Sequence, residues 1–327
     1  MKTFDYQRAT SAAQAASVAA DAATKFIAGG TNLLDLMKLQ VETPSRLVDI
    51  TRLPLKTIEA DGEGLRIGAL VTNSDLAADE RIRRDYAVLA RALLSGASGQ
   101  LRNKATTGGN LLQRTRCGYF YETSARCNKR EPGSGCDGRG GFNRILAILG
   151  TSEHCIATHP SDMAVAMRAL DAEVLTIKAD GTERRIPIAD LHRLPGDAPH
   201  IETNLEPGEL ITAIRLPKPL EGRHLYRKVR DRASYAFALF SVAAVVRMDA
   251  GRMADVRLAF GGIGTVPWRS KSVEEVLIGE EPGEVVFARA ADLLLSDAQG
   301  YGNNDFKIDL VRRTLPAVLA DAAQGGV

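Results

Sequence analysis

All four cysteines of this 327-residue chain fall between positions 117 and 155, and no other segment contains one. A fold built on disulfides would spread more cysteines over a chain of this length, so the clustering marks one local site instead. Cys117, Cys127, Cys136 and Cys155 are separated by nine, eight and eighteen residues. They lie in a stretch from Gln113 to about Ala157, rich in Gly, Arg and Asn, whose centre shows neither helical nor strand periodicity. The stretch reads as an insertion, 113–157, folded around something other than a hydrophobic core. Four thiolates suit a [4Fe–4S] cluster or a structural zinc. Zinc sites usually carry a C-x₂₋₄-C pair, which is absent here, and two disulfides require an oxidising compartment; spacing alone leaves all three open. Arg114, Arg116, Arg126, Lys129 and Arg130 can offset the charge of a tetrathiolate centre, or else form a solvated loop face.

Outside the insertion the pattern alternates between short apolar runs and helical spacing. Lys25–Lys38 predicts a buried strand, a glycine turn and a helix, and Arg46–Ile50 a second strand, together a βαβ-like unit. Leu65–Ala69 predicts a strand leading, through an N-cap at Thr72 or Ser74, into helices that end near Gly96. The polar stretch from Gly99 to Asn110 predicts a loop. A helix is expected over Ser161–Leu170 and a strand over Ala172–Ile177. Pro217 and Pro219 block both helix and central strand, which sets a linker before strands at Tyr226–Arg230, Ala238–Arg247 and Asp255–Phe260 and helices from about Val273 and Asp305. The expected organisation is α+β, with a two-part domain at 1–60 and 61–219 and a smaller α+β domain at 220–327.

Composition narrows the function. Forty-two basic and forty acidic residues are interspersed, so no basic stripe for nucleic acid exists. No run of eighteen apolar residues predicts a membrane span, and the start, Met1 to Arg8 followed by an Ala/Ser-rich segment, is too polar for an export signal. The histidines at 154, 159, 192, 200 and 224 have no metal-ligand spacing.

Two glycine loops carry the binding chemistry. In Phe26-Ile-Ala-Gly-Gly-Thr-Asn-Leu-Leu34 paired glycines follow a strand and open a helix, which exposes backbone N–H groups suited to phosphate; the plain alternative is a β-to-α turn. Thr106-Thr-Gly-Gly-Asn-Leu111 repeats the recipe, and two such loops in one domain predict a dinucleotide pyrophosphate. Neither G-x-G-x-x-G nor G-x-x-x-x-G-K-[ST] occurs, which disfavours NAD on a Rossmann turn and ATP on a P-loop.

These two loops, with Thr158-His-Pro-Ser-Asp-Met163 and Tyr226-Arg-Lys-Val-Arg-Asp-Arg232, resemble the FAD-binding subunit of the xanthine dehydrogenase and aldehyde oxidase family, end to end. The likeness is greatest to the medium subunit of periplasmic aldehyde oxidoreductases, whose FAD domain carries an extra [4Fe–4S] cluster. It implies a two-part FAD-binding domain of the vanillyl-alcohol-oxidase/PCMH type with the cysteine insertion. By motif, Ile27, Ala28, Gly29, Gly30, Thr31, Asn32, Leu33 and Leu34 would wrap the FAD pyrophosphate, and Thr106, Gly109 and Asn110 would complete the cradle. Asp162 would bond flavin or ribitol, Lys228 would lie near the isoalloxazine, and Leu101 and Ile211 would supply apolar walls. The resemblance further implies a [4Fe–4S] cluster on the four cysteines, a large molybdopterin-binding partner, a small [2Fe–2S] partner and an external electron acceptor. No residue of this chain then acts on the aldehyde. Location would be periplasmic, by export alongside a signal-bearing partner, or else cytoplasmic. Rival readings are the FAD subunit of a xanthine dehydrogenase or 4-hydroxybenzoyl-CoA reductase-like complex, a stand-alone flavin oxidase, and a metal-stabilised assembly factor.

Overall fold

The computed structural model describes residues 1–324. Three sheets organise the chain. β1 (Asp5–Arg8), β2 (Thr24–Ile27) and β3 (Arg46–Asp49) form a parallel sheet in the order β1-β3-β2, with the helix Leu33–Lys38 crossing between β2 and β3. The expected βαβ unit is present. β1 is an addition, and its polar sequence Asp-Tyr-Gln-Arg has no apolar alternation to reveal it.

The second sheet contains β4 (Ile58–Asp61), β5 (Gly64–Gly68), β6 (Glu173–Ile177), β7 (Glu183–Pro187) and β8 (Leu210–Leu216). Its order is β4-β5-β8-β6-β7, antiparallel throughout. Between β5 and β6 the chain makes the helices Asn73–Ala78, Glu80–Asp85 and Ala87–Ser95, both glycine-loop turns, the insertion and the helix Asp162–Ala169. Thr72 caps the first of these by accepting from Asp75 N. The loop expected from Gly99 to Asn110 is instead two single-turn helices, Gly99–Arg102 and Thr107–Leu111, capped by Ser98 and Thr106. Two hydroxyl N-caps outweigh the low helix propensity of Gly108 and Gly109 there.

β9 (Arg223–Val229), β10 (Phe240–Asp249) and β11 (Arg252–Gly261) form the third sheet in the order β11-β10-β9, all antiparallel. The nearly unbroken apolar run of β10 follows from burial on both faces. Phe240, Val242, Ala244 and Val246 join the core formed with the helices Glu284–Leu294 and Phe306–Ala323. Ala243 and Val245 join the other core, with Leu89 of Ala87–Ser95 and Val165 of Asp162–Ala169. Alternate side chains of one strand thus weld the C-terminal sheet to the second subdomain. No helix among the described residues is long and apolar enough to cross a membrane.

The insertion differs from expectation at its C-terminal end. Ile148 and Leu149 are fully buried in the C-terminal core, and Phe120, Leu146 and Ile156 make a small apolar cluster with three of the cysteines. Lys307, wholly buried in the first turn of Phe306–Ala323, fastens this end down. Its Nζ donates to the carbonyls of Leu146 (2.8 Å) and Gly262 (2.6 Å). Burial, helped by the charge of Arg144, pulls its ammonium down to about 7 from an ordinary 10.5. The folded chain therefore gives up this proton before the unfolded chain does. The cost of burying the charged form is fully present below about pH 7, and stability from this site rises with pH from there to about 10.5. In thermal melts the gap between the native chain and Lys307→Met should shift in the native chain's favour as pH rises from 7 toward 10; a gap that stays constant with pH would contradict a buried lysine of lowered affinity for its proton.

Candidate functional site

The run Ile27–Leu34 is half-buried at every position, neither core nor open surface. Gly30 has φ +71°, a conformation open to glycine at little cost. Gly29 packs so closely on the second loop that a Cβ there would overlap the carbonyl oxygen of Lys104. The two glycine loops are thereby held side by side. The N–H groups of Gly29, Gly30, Thr31 and Asn32 have no protein acceptor among the described residues, and the buried Asn32 Nδ2 likewise has no partner. Asn32 Oδ1 accepts from Arg114 N at 2.8 Å, which leaves the amide nitrogen as the unpaired end.

The second loop contributes differently from expectation. Its N–H groups are used internally: Thr107 N to Val71 O, Gly108 N to Ala69 O, Gly109 N to Thr106 Oγ1 and Asn110 N to Thr106 O. What it can present to a ligand is side-chain chemistry, the Thr106 hydroxyl and the Asn110 amide. Asn110 Oδ1 accepts from Ser161 Oγ (2.6 Å) and Gln113 Nε2 (2.8 Å), so its NH₂ is the end left over.

Asp162 and Lys228 are brought together. Lys228 Nζ lies 2.7 Å from Asp162 Oδ2, with side chains only 3% and 9% exposed, and Tyr226 donates to Asp162 Oδ1 at 2.6 Å. Burial, reinforced by the Asp162 charge, holds the Tyr226 phenol well above its ordinary range, so the hydroxyl stays a donor. Lys228 also donates to Ser95 O, which ends the helix leading to Gly96. Leu101 is half-buried in the Gly99–Arg102 turn. Ile211 is 3% exposed on β8, in the core that also contains Leu111 of the second loop.

Beside the loops opens a polar pocket, lined among others by Lys25, Arg114, Lys129, His159, His192 and Glu202. The His159 and His192 rings lie 4.3 Å apart. His192 Nε2 bonds Leu111 O at 2.9 Å, while His159 Nε2 and His192 Nδ1 are buried without partners. Burial pushes the proton affinity of both rings down, for His159 with help from its neighbour's charge, so the pair is neutral at pH 7. The sequence does not reveal this pair: His159 lies in the run Thr158–Met163, but nothing in the sequence links it to His192.

The four cysteines line one further, small cavity, together with Phe120, Lys129 and Leu146. Cys117, Cys127 and Cys155 are buried, and Cys136 is half-buried. The 127–136 turn is drawn tight by Asn128, whose Oδ1 accepts from Gly133 N (3.1 Å) and Gly135 N (2.8 Å). Burial raises the Cys117 thiol to about 12 and the Cys155 thiol to about 11, the latter opposed by the charge of Lys129. All four are free thiols, so no disulfide pairs them. Among the described residues no three His, Cys, Asp or Glu side chains converge as ligands of a single metal ion.

A flavin dinucleotide fits these residues. Free backbone donors and an orphaned buried amide on the first loop match a pyrophosphate, and the glycine contact at Gly29 leaves no Cβ in the way. A parallel N-terminal unit, an antiparallel second subdomain and a welded C-terminal sheet, with the two glycine loops held side by side, define an FAD-binding flavoprotein subunit.

The chain belongs to the FAD binding domain family of the molybdopterin dehydrogenases, whose family model matches residues 2–219. Residues 224–322 match the CO dehydrogenase flavoprotein C-terminal domain. It is similar to the aldehyde oxidoreductase FAD-binding subunit PaoB of Escherichia coli (strain K12), 58% identical over 324 residues, 98% of this chain and 99% of that one. A more distant relative is the glyceraldehyde dehydrogenase medium chain of Sulfolobus acidocaldarius, 27% identical over 281 residues, 85% of this chain and 82% of that one. Among solved structures, reconstituted CO dehydrogenase from Oligotropha carboxidovorans superimposes with a TM-score of 0.77 at 23% identity, covering 98% of each chain, a likeness of fold.

Proposed function

We propose that this chain is the FAD- and [4Fe–4S]-carrying electron-transfer subunit of a heterotrimeric molybdenum aldehyde oxidoreductase. In this reading a large molybdopterin-binding subunit oxidises the aldehyde and a small [2Fe–2S] subunit forwards the electrons, which this chain relays to an external acceptor. The observation that carries it is the convergence of Cys117, Cys127, Cys136 and Cys155 on one cavity, in a chain 58% identical to an aldehyde oxidoreductase subunit. Export in the folded state with a signal-bearing partner, giving a periplasmic complex, is part of the same proposal.

FAD, when bound, supplies a redox centre that exchanges electrons singly or in pairs. The chain's residues hold and orient it. Gly29 to Asn32 would grip the pyrophosphate through their unpartnered backbone N–H groups, with Ile27 and Ala28 leading into that turn, Leu33 and Leu34 as the apolar side of the loop and Thr106, Gly109 and Asn110 as the facing side. Asp162 and Lys228 form the polar end, with Leu101 and Ile211 as apolar packing. Opening the Asp162–Lys228 pair toward a ligand exchanges one set of charge-assisted hydrogen bonds for another, so neither charge is left buried alone.

The cysteine spacing, which contains no C-x₂₋₄-C pair, is what supports a multi-iron centre over zinc. A tetrahedral zinc with Zn–S bonds of about 2.3 Å needs its sulfurs within roughly 3.8 Å of each other. A cluster instead puts each sulfur on a different iron around a shared void. The purified chain should hold about one flavin, four irons and four acid-labile sulfides, and should not turn over aldehyde until the molybdenum-bearing partner is added. Stoichiometric zinc without iron removes the cluster from this reading, and aldehyde turnover by the chain alone replaces the relay with a stand-alone oxidase.

A further inference from the structure

We infer that Lys129 is the charge that sets the reduction potential of the centre on the four cysteines, with Glu202 as its counterweight; this rests on the cluster reading above. Five cations surround the cysteines, and the structure separates them. Arg130 is spent on backbone carbonyls, donating to Tyr119 O and Phe120 O. Arg116 lies over the Tyr121 and Phe237 rings. Arg114 is clamped between Glu42 and Glu202 and stacks over Phe120. Arg126 does line the cysteine cavity, but its side chain is 71% exposed and paired with Asp137. Arg139, on a neighbouring turn, pairs with the exposed Glu153.

Lys129 alone combines burial with a place on the cavity wall: its side chain is 11% exposed and it lines both the cysteine cavity and the polar cavity beside the glycine loops. Its ammonium is fixed by two donations, to Pro199 O (2.9 Å) and Glu202 Oε1 (2.8 Å). Glu202 Oε2 accepts from Arg114 Nε at 2.5 Å. Lys129 thus pairs with Glu202 and Glu202 with Arg114, and of these three charges Lys129 is the one that acts on a cysteine, opposing the rise at Cys155. A fixed charge in a poorly solvated wall is little screened by salt, unlike the exposed Arg126. Adding an electron to the centre makes it more negative, so a nearby positive charge stabilises the reduced form and raises the potential, while a negative charge lowers it.

The test is an electron paramagnetic resonance redox titration of the iron-loaded chain with dithionite as reductant, at fixed pH and salt. Lys129→Met should lower the midpoint, changing the ratio of oxidised to reduced centre about tenfold at a given potential, or ~59 mV for one electron. Glu202→Gln should move it the opposite way, because it leaves the Lys129 charge uncompensated. Lys129→Arg should stay near the native value, and Arg126→Gln, exposed and screened, should shift it least. A residue with only a structural role would not give opposite signs for two partners of one ion pair. Should Lys129→Met fail to load iron, Glu202→Gln and Lys129→Arg still decide the matter. Absence of a midpoint increase in Glu202→Gln, or an equal change in the Arg126→Gln control, overturns the inference. Absence of iron and sulfide from the native chain would instead sink the cluster reading, which iron analysis before the titration reveals.

Discussion

Gly29→Val should abolish flavin uptake while leaving the chain folded. The glycine hydrogen at this position faces the Lys104 carbonyl so closely that any Cβ would overlap backbone, with the Ala105 nitrogen of the same peptide 3.3 Å away. Backbone cannot rotate aside as a side chain can, so the loops must part, and the groove between them with them. Gly30→Val acts by another route: φ +71° strains a branched residue by about 1–3 kcal/mol, and its Cβ would meet the mobile end of Leu34 at 2.8 Å. Gly109→Val should be mildest, since a Cβ there meets only Thr106 Oγ1 at 3.0 Å, at the cost of part of a helix cap. The expected order of flavin loss is therefore Gly29, then Gly30, then Gly109, read as flavin absorbance per protein in chains whose circular dichroism is native. Full occupancy in Gly29→Val would show that the pyrophosphate lies elsewhere.

That order was not readable from the motif, which presents the glycines of both loops as equivalents. The sequence shows that paired glycines open a helix. It cannot show that one of them is wedged on a carbonyl 75 residues away in sequence, or that the second loop spends its own amides on Ala69 and Val71. The same division runs through the fold. β2, β3, β5, β6 and β10 were legible because their apolar runs mirror burial on at least one face. β1, β4 and β7 were not, since they are short edge strands whose sequences, such as Glu-Arg-Arg-Ile-Pro in β7, carry almost no hydrophobic alternation, whereas the central, largely buried β8 was missed despite its apolar sequence Leu-Ile-Thr-Ala-Ile-Arg-Leu. The helix Glu284–Leu294 is a plainer omission. Its buried Val286, Phe287, Ala290, Ala291 and Leu294 have helical spacing that was there to be read. The insertion seemed coreless because its apolar residues are few and scattered. Ile148 and Leu149 are buried by another domain's helices, which local composition cannot report.

Pairing in three dimensions also changes what the charged site residues mean. Asp162 and Lys228 are 66 residues apart and each reads alone as a ligand contact. Together they form a nearly dry ion pair with Tyr226, so a substitution at either one costs stability as well as binding. Removing one partner of a buried pair is worth about 3–5 kcal/mol. Variants at these positions therefore report on flavin chemistry only where the melting temperature is measured alongside.

Cys127→Ala should strip the iron from the chain and loosen the insertion, yet leave flavin bound. Cys127 stands opposite Cys136 at the base of the 127–136 turn, and its carbonyl accepts from Arg130 N (3.0 Å) and Glu131 N (2.7 Å). The turn keeps those bonds and the Asn128 contacts when the sulfur is removed. What it loses is the link to Cys117 and Cys155, and the local apolar cluster left to hold residues 113–142 is little more than Leu36, Phe120, Leu146 and Ile156. Metal binding is folding free energy in such a segment, so its amides should exchange faster and proteases should cut there first. The far end should remain protected, because Ile148, Leu149 and the Lys307 carbonyl contacts anchor it to the C-terminal core independently of the sulfurs. The expected result is near-zero iron and sulfide, unchanged flavin stoichiometry, and faster exchange confined to about 113–142. Assembly should also be slow at low pH, since thiols held near 11 and 12 at Cys155 and Cys117 must lose protons to bind metal. If the variant retains full iron, or if exchange rises equally across the glycine loops, the four cysteines do not hold a cluster that organises the insertion.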